Sequence, residues 1–322
     1  MVPSGTLRQP GVIVVTMTNT HRRIVAVATG QLGLLSRRQA NGVGVSNAQL
    51  RNRVSSGSLI QIGADTFRLP GAPTGPLAEL RALMLDIGGD VWASGPTAAA
   101  LHGFDGYRLG APFDVTILRD RNVRRIGHRV HTTTSLDLID RCSVDDVAAL
   151  SPARTLIDLA RTASVEQLTV ALDSGLRDGK FNESLVHRRI IALRARGRFG
   201  LPRVIDAIEG TEAIRGAHSW LEREYLHLVA DAGLRTPLAQ QVLTRAGDRT
   251  VRVDFRFPAT PVVVEVLGYR YHRTPAQLRR DSERMNALVA AGLRPYQFSY
   301  EQIVDSPKRV IDETRAALAR WS

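Results

Sequence analysis

The sequence predicts a multidomain protein of the α+β and α/β classes, and three observations predict it. Residues 18–71 read as short capped helices followed by a hairpin. Residues 77–210 mix helices with a few alternating segments. From residue 216 onward, amphipathic helices bracket a run of strands. At 322 residues the chain is long enough for two or three domains with separate cores. Its 43% hydrophobic and 23% charged content is the balance of a globular protein.

In the first segment, Asn19 or Thr20 is placed to cap a helix carrying Ile24, Val25 and Ala28. Ser36 caps a short helix broken by the turn at Gly42–Gly44, and Ser46 caps a third, NAQLRNRVSSG, which Gly57 ends. LIQI and TFRL then flank a Gly-Ala-Asp turn, the pattern of a hairpin. This order is that of a winged helix-turn-helix over residues 18–71. Leu50 and Val54 are expected to face a small core, leaving Asn47, Arg51, Asn52 and Ser55 facing out, and Asn47, Arg51, Asn52 and Arg53 are the expected DNA-binding residues. Arg and Asn side chains suit base edges in a major groove. The segment carries seven Arg against one acidic residue, Asp65. Protein contact is the competing use of such a domain.

PGAPTGP, residues 70–76, is a Pro/Gly-rich break. In the middle segment, LAELRALMLDIG is helical, FDVTIL and HRVHT alternate like strands, and Ser151-Pro152 opens the helix PARTLIDLA. HRRIIALRARGR, 187–198, reads as a solvated basic helix face. No catalytic constellation is visible here. In the third segment, 216–322, SWLEREYLHLVADAG and TPAQLRRDSERMNALVAAG are helical, PYQFSY is a short strand and a helix closes the chain.

The net charge of +12 and a pI near 10.9 point to a polyanionic partner. All but two of the 43 basic residues are Arg, the exceptions being Lys180 and Lys308. A high-GC coding sequence produces the same bias, so charge favours nucleic acid without proving it. The lone cysteine, Cys142, excludes a disulfide within the chain and a cysteine zinc cluster. A reducing cytoplasm is the expected setting. GVIVVTM near the start is too short for a membrane span or a signal-peptide core, and no membrane association is expected. Residues 1–17 are expected to be a disordered tail, with Met17 a second candidate start.

The chemistry concentrates in VRVDFRFPATPVVVEVLGYRYH, residues 251–272. Alternation sets Val251, Val253, Phe255 and Phe257 on one strand face and Asp254 on the other. Glu265 interrupts a run of valines that implies a strand buried on both faces. Two carboxylates on adjacent buried strands are costly unless they are hydrogen-bonded or share a cation. Two readings stay open: an ion pair with one of the many arginines, or a shared divalent metal over a phosphate. Glu222 has two readings as well, a capping box with Ser219 or a further carboxylate at the same cleft. His272 is either polar surface or a general base or phosphate ligand. Asp281 and Arg284, three apart on a helix, are placed to pair.

The order S-x-L-E (from Ser219), D-F-x-x-P (from Asp254), V-x-E-V-x-G-x-x-x-H (from Val263) and R-D-x-x-R-x-N-x-L-x-x-x-G (from Arg280) resembles the Vsr-like endonuclease branch of the PD-(D/E)xK nuclease superfamily, across Ser219 to Tyr300. The resemblance implies a restriction-endonuclease-like mixed sheet flanked by helices. It makes Asp254 and Glu265 the Mg2+-binding pair, with Glu222 assisting and His272 near the attacking water. One departure stands out. The family position two after the Glu is acidic or Lys, and here it is Leu267, so Arg270, His272 or Gln297 would have to substitute. LLSRRQANGVGVSNAQLRNRVSSGSLIQIGADTFRLPG, with GPTAAALHGFDG and ALSPARTLIDLA downstream, resembles AbiEi-type antitoxins. Two functions follow as expectations. One is a double-stranded-DNA-binding protein with a weak or degenerate Mg2+-dependent endonuclease site. The other is a non-catalytic transcriptional regulator or antitoxin with a cognate toxin protein as partner, its nuclease fold retained as scaffold.

Overall fold

The computed structural model of the chain describes residues 19–194, 201–215, 219–246, 249–268 and 275–321. The expected tail at 1–17, Arg270, His272 and the end of the basic segment 187–198 lie outside the described residues. The protein is mixed α/β, with three sheets among the described residues. By its own contacts the chain divides into two units. One runs up to Thr97 and resumes over Arg108–Ala149; the other comprises Ala98–Tyr107 and everything from Leu150 onward. The segment read as one middle domain, 77–210, contributes to both.

The first unit begins with α1 (Asn19–Thr29), β1 (Leu34–Ser36), α2 (Arg37–Gly42), α3 (Asn47–Ser55), β2 (Ile60–Gln61) and β3 (Thr66–Arg68). Ser36 and Ser46 each close a full capping box, with Gln39 and Gln49. Each box satisfies two backbone donors at a helix start. Gly44, at φ +86, makes the turn between α2 and α3, and Gly57, at φ +73, follows α3. Ile24, Leu35, Leu50, Leu59 and Phe67 fill one small core. The sheet order is β1-β3-β2, with Leu35 opposite Phe67. At three residues, β1 is too short to show periodicity, and it was not foreseen.

The unit continues with α4 (Pro76–Ile87), β4 (Trp92–Ala93), α5 (Gly95–Leu101), β5 (Asp114–Leu118), β6 (Arg129–Thr133), β7 (Arg141–Val144) and β8 (Val147–Leu150), α5 running across the division. The sheet order is β6-β5-β4-β8-β7. β5 and β6 pair in parallel, and the buried Asp114 joins them through its side chain. Its oxygens accept from Arg129 Nη1 at 2.9 Å and stand 2.8 Å from His131 Nε2. A buried carboxylate so held is satisfied rather than stranded.

The second unit holds α6 (Pro152–Leu159), α7 (Val165–Arg177), α8 (Glu183–Ala192), α9 (Leu201–Arg215), α10 (Trp220–Asp231), β9 (Leu238–Ala246), β10 (Arg249–Arg256), β11 (Val262–Leu267), α11 (Pro275–Ala290), β12 (Arg294–Ser299), α12 (Tyr300–Asp305) and α13 (Pro307–Trp321). Leu156, Leu168, Ile190 and Val204 centre a helical core, where Gly175 leaves no room for a Cβ against the Phe181 ring. The sheet order is β12-β11-β10-β9, antiparallel except for the parallel pair β11–β12, which α11 connects. Tyr225, Phe255, Phe257, Val264 and Phe298 form a second core. Val251 and Val253 pack in a different cluster, with Val263 and Leu288, so the apolar row expected on one face of β10 is divided between two. No described helix is long and apolar enough to cross a membrane.

The expected solvated face of α8 needs correction. His187 and Arg189 are buried. The His187 ring stacks on Trp220 at 3.8 Å between centroids and is hydrogen-bonded to the Tyr300 hydroxyl. The i,i+3 and i,i+4 spacing of Val186, Ile190 and Leu193 turns this basic segment inward.

Burial above all, and then the Arg223 charge, push the His187 pKa down to about 3. The folded state therefore holds the ring neutral. Unfolded, it protonates near 6.5, so its contribution is complete above that pH and is lost as pH falls toward about 3. His187→Phe keeps a ring on Trp220 but gives up the bond to Tyr300. The variant is expected to be about 1–3 kcal/mol less stable at about pH 7.5. The gap is expected to narrow at about pH 5, because the wild type alone loses up to ~1.4 kcal/mol per pH unit below the ordinary histidine value. Urea denaturation at the two pH values checks this, and an equal gap at both refutes it.

Candidate functional site

β10 and β11 pair with Phe255 opposite Val264 and Arg256 opposite Val263. One residue further, the same register sets Asp254 opposite Glu265. Opposed residues of an antiparallel pair leave the sheet on the same side. In the parallel pair, Glu265 is matched to Gln297 on β12. Three polar side chains therefore stand in a row across β10, β11 and β12.

Each has defined partners. Asp254 Oδ2 accepts the Val266 amide at 2.9 Å. Glu265 is only 2% exposed, and its Oε2 accepts from Gln297 Nε2 at 3.0 Å. Its Oε1 lies 2.6 Å from Arg284 Nη2, which reaches over from α11. That nitrogen donates its hydrogen bond to the Arg252 carbonyl at 2.6 Å. The Arg284–Glu265 contact is thus an ion pair without hydrogen-bond alignment. Among the described residues Oε1 has no aligned donor.

The pair is electrostatically tense. The Asp254 carboxyl is pushed up to about 6, mainly by burial. The Val266 amide pulls it back, the charges of Glu222 and Glu265 raise it further, and Arg284 lowers it. Glu222 acts from the first turn of α10, whose cap Ser219 accepts the Glu222 amide at 3.3 Å. Glu222 and Glu265 thus both come within electrostatic reach of Asp254, while His272 lies outside the described residues.

No group of three or more His, Cys, Asp or Glu side chains is arranged to hold a metal among the described residues. Two carboxylates nonetheless suit a magnesium site, because Mg2+ retains waters and takes one or two carboxylates together with substrate phosphate.

Leu267, half-buried, stands opposite Ser299 and has no atom able to ligate a cation or orient water. Of the side chains named as its substitutes, Gln297 is the one described, and it donates to Glu265. Arg284 was not identified as a site residue. The expected pairing drew it toward Asp281, whereas its ion pair is with Glu265. Leu288, one turn on, is fully buried, so Arg284 shares the face of α11 that meets the sheet.

In the first unit, Asn47, Arg51, Asn52 and Ser55 are exposed on α3, opposite the fully buried Leu50. Arg37 stands 3.5 Å from the Asn47 side-chain oxygen while pairing with Asp65 at 2.6 Å. Arg53 is half-buried, 3.4 Å from His21 on α1, and belongs to the inner side of the helix.

Asp254→Asn keeps an acceptor for the Val266 amide and removes the charge. The folded-state pKa lies above the ordinary 3.8, so the wild type loses stability as pH rises from about 4 to about 6. The variant is expected to melt higher than the wild type at neutral pH and close to it near pH 4. Thermal unfolding across that range tests this; an unchanged or lowered neutral melting point would contradict it.

No family model matches the chain. It is 26% identical over 279 residues to the uncharacterized protein MT2308 of Mycobacterium tuberculosis (strain CDC 1551 / Oshkosh), covering 86% of this chain and 97% of that one. The figures are the same for the uncharacterized protein Rv2248 of Mycobacterium tuberculosis (strain ATCC 25618 / H37Rv). Among solved structures, the crystal structure of RV2827C protein from Mycobacterium tuberculosis aligns with a TM-score of 0.35 and 14% identity, over 60% of this chain and 82% of that one.

Proposed function

We propose that this is a cytoplasmic protein that binds double-stranded DNA through a winged helix-turn-helix, with α3 as its reading helix. The carrying observation is the split of α3 into a buried Leu50 side and an exposed Asn47, Arg51, Asn52, Ser55 side. Capping boxes fix both α2 and α3, so the exposed side chains stand on a rigid element. The net charge of +12 supplies attraction to phosphate that does not depend on sequence.

The carboxylate row of the second unit supports a degenerate endonuclease of the Vsr-like kind as the accompanying activity. Asp254 and Glu265 would hold the cation, with Glu222 close by. Bound magnesium supplies Lewis-acid polarisation of a phosphate and a nucleophilic hydroxide. Leu267 and the Arg284 ion pair favour the second reading, a non-catalytic regulator of the AbiEi antitoxin type with a toxin protein as partner. In either reading the protein engages DNA.

Arg51→Ala with Asn52→Ala is expected to weaken duplex binding without unfolding the protein, at about 1–3 kcal/mol for each lost base contact. Wild-type affinity should also fall steeply as salt rises, because Arg–phosphate contacts release counterions. Mobility-shift titrations at two salt concentrations, with circular dichroism of the variant, check both. Unchanged affinity in the double variant removes α3 as the reading helix, and a flat salt dependence removes the charge argument.

A further inference from the structure

We infer that Arg284 is an exchangeable occupant of the carboxylate site: in the free protein its guanidinium takes the place of a divalent cation on Glu265, and a DNA phosphate draws it away so that a cation can enter. This rests on the DNA-binding reading and on Asp254 and Glu265 as the cation-holding pair.

The geometry is that of a cation held loosely. Nη2 lies 2.6 Å from Oε1, close enough to block a metal from that oxygen. Yet Oε1 receives no aligned hydrogen bond among the described residues, because the same nitrogen is directed to the Arg252 carbonyl. The two partners also differ in accessibility. The Glu265 side chain is 3% exposed and cannot leave, whereas that of Arg284 is 36% exposed and can. On the described residues, Arg284 is anchored otherwise only by that one backbone carbonyl.

Charge points the same way. Among the described residues the Arg284 guanidinium acts on two carboxylates, Asp254 and Glu265, and the Glu222 charge also reaches Asp254. A guanidinium also matches phosphate with two parallel hydrogen bonds, which a poorly aligned contact to one carboxylate oxygen does not equal. An arriving phosphate therefore competes for Arg284 and supplies oxygens to a cation at the same time. Cation and DNA should then bind cooperatively, each strengthening the other by the same factor.

The test uses the full chain with manganese or calcium alone as probe. Manganese is titrated calorimetrically into the wild type and Arg284→Gln in the absence of DNA. Glutamine retains a donor for the Arg252 carbonyl but gives up the charge. The variant is expected to bind manganese roughly tenfold or more tightly than the wild type, within the usual range of coupling between sites. In the wild type, calcium at constant ionic strength should tighten duplex binding, and Glu265→Gln should abolish that effect.

Wild type and Arg284→Gln binding manganese equally well would overturn the exchange while leaving the cation site standing. No manganese binding by either would overturn the exchange and the carboxylate-site reading together, whereas the α3 variants test DNA binding separately. Should Arg284→Gln not fold, the calcium experiment decides: wild-type affinity for duplex unmoved by calcium overturns the proposal.

Discussion

The ion pair between Glu265 and Arg284 is the constraint around which the C-terminal sheet is arranged. Glu265 sits in a strand covered on both faces, where an unpaired carboxylate would cost several kcal/mol. Its two oxygens are therefore served from two directions, Gln297 on the neighbouring strand and Arg284 on the covering helix. This requirement fixes how α11 lies on the sheet. Arg284 must reach Glu265 while Leu288, one turn later, fills the space against Val251, Val253 and Val263. The parallel register of β11 and β12 then follows from matching Glu265 to Gln297 rather than to an apolar neighbour.

Asp254 occupies the other side of the same balance. Among the described residues it accepts one backbone amide, the Arg284 charge favours its ionised form, and the charges of Glu222 and Glu265 oppose it. Desolvation and like charge act in the same direction, so the group ionises only as pH approaches about 6. Asp114 in the first unit shows the contrast. It is buried more deeply, yet Arg129 and His131 serve one oxygen each, and it reads as a fastening between β5 and β6. The two aspartates thus differ in what surrounds them among the described residues: Asp114 has two cationic or ring partners, whereas the hydrogen bond to Asp254 comes from a backbone amide.

Local signals explain what could be read from the sequence. Caps such as Ser36 and Ser46, the glycines at 44 and 57, and the alternation of FDVTIL and VVVEVL act over a few residues, and the corresponding elements lie where they point. The strands missed, β1, β4, β7 and β8, are two to four residues long; β1 and β4 pair with strands distant in sequence, and among the described residues β7 pairs only with the adjacent short β8. No periodicity can develop over so few positions. The inward turn of His187 was missed for a related reason: its partners, Trp220 and Tyr300, are supplied by elements far along the chain. At the site, the adjacency of Asp254 and Glu265 was legible from the hairpin pattern. The cation beside Glu265 was not, because choosing among so many arginines requires knowing which helix covers which strand.

Stability alone does not account for the row of carboxylates. Replacing a buried ion pair with apolar residues of similar size is often neutral or stabilising by about 1–4 kcal/mol. The surroundings of Glu265 are valine-rich and would accept such a change readily, and the site already holds an apolar side chain at Leu267. Yet the charges persist where they are least favourable, beside an aspartate that burial and its neighbours make harder to ionise. A purely structural pair would be expected to be balanced, with each oxygen given a donor, as at Asp114. The proposed cation would relieve the imbalance seen at Glu265 and Asp254 among the described residues, where Arg284 acts from its half-exposed position on α11. Leu267 brings no ligating atom to the site of the proposed cation, which limits the chemistry that cation could support without removing the charge that would draw it.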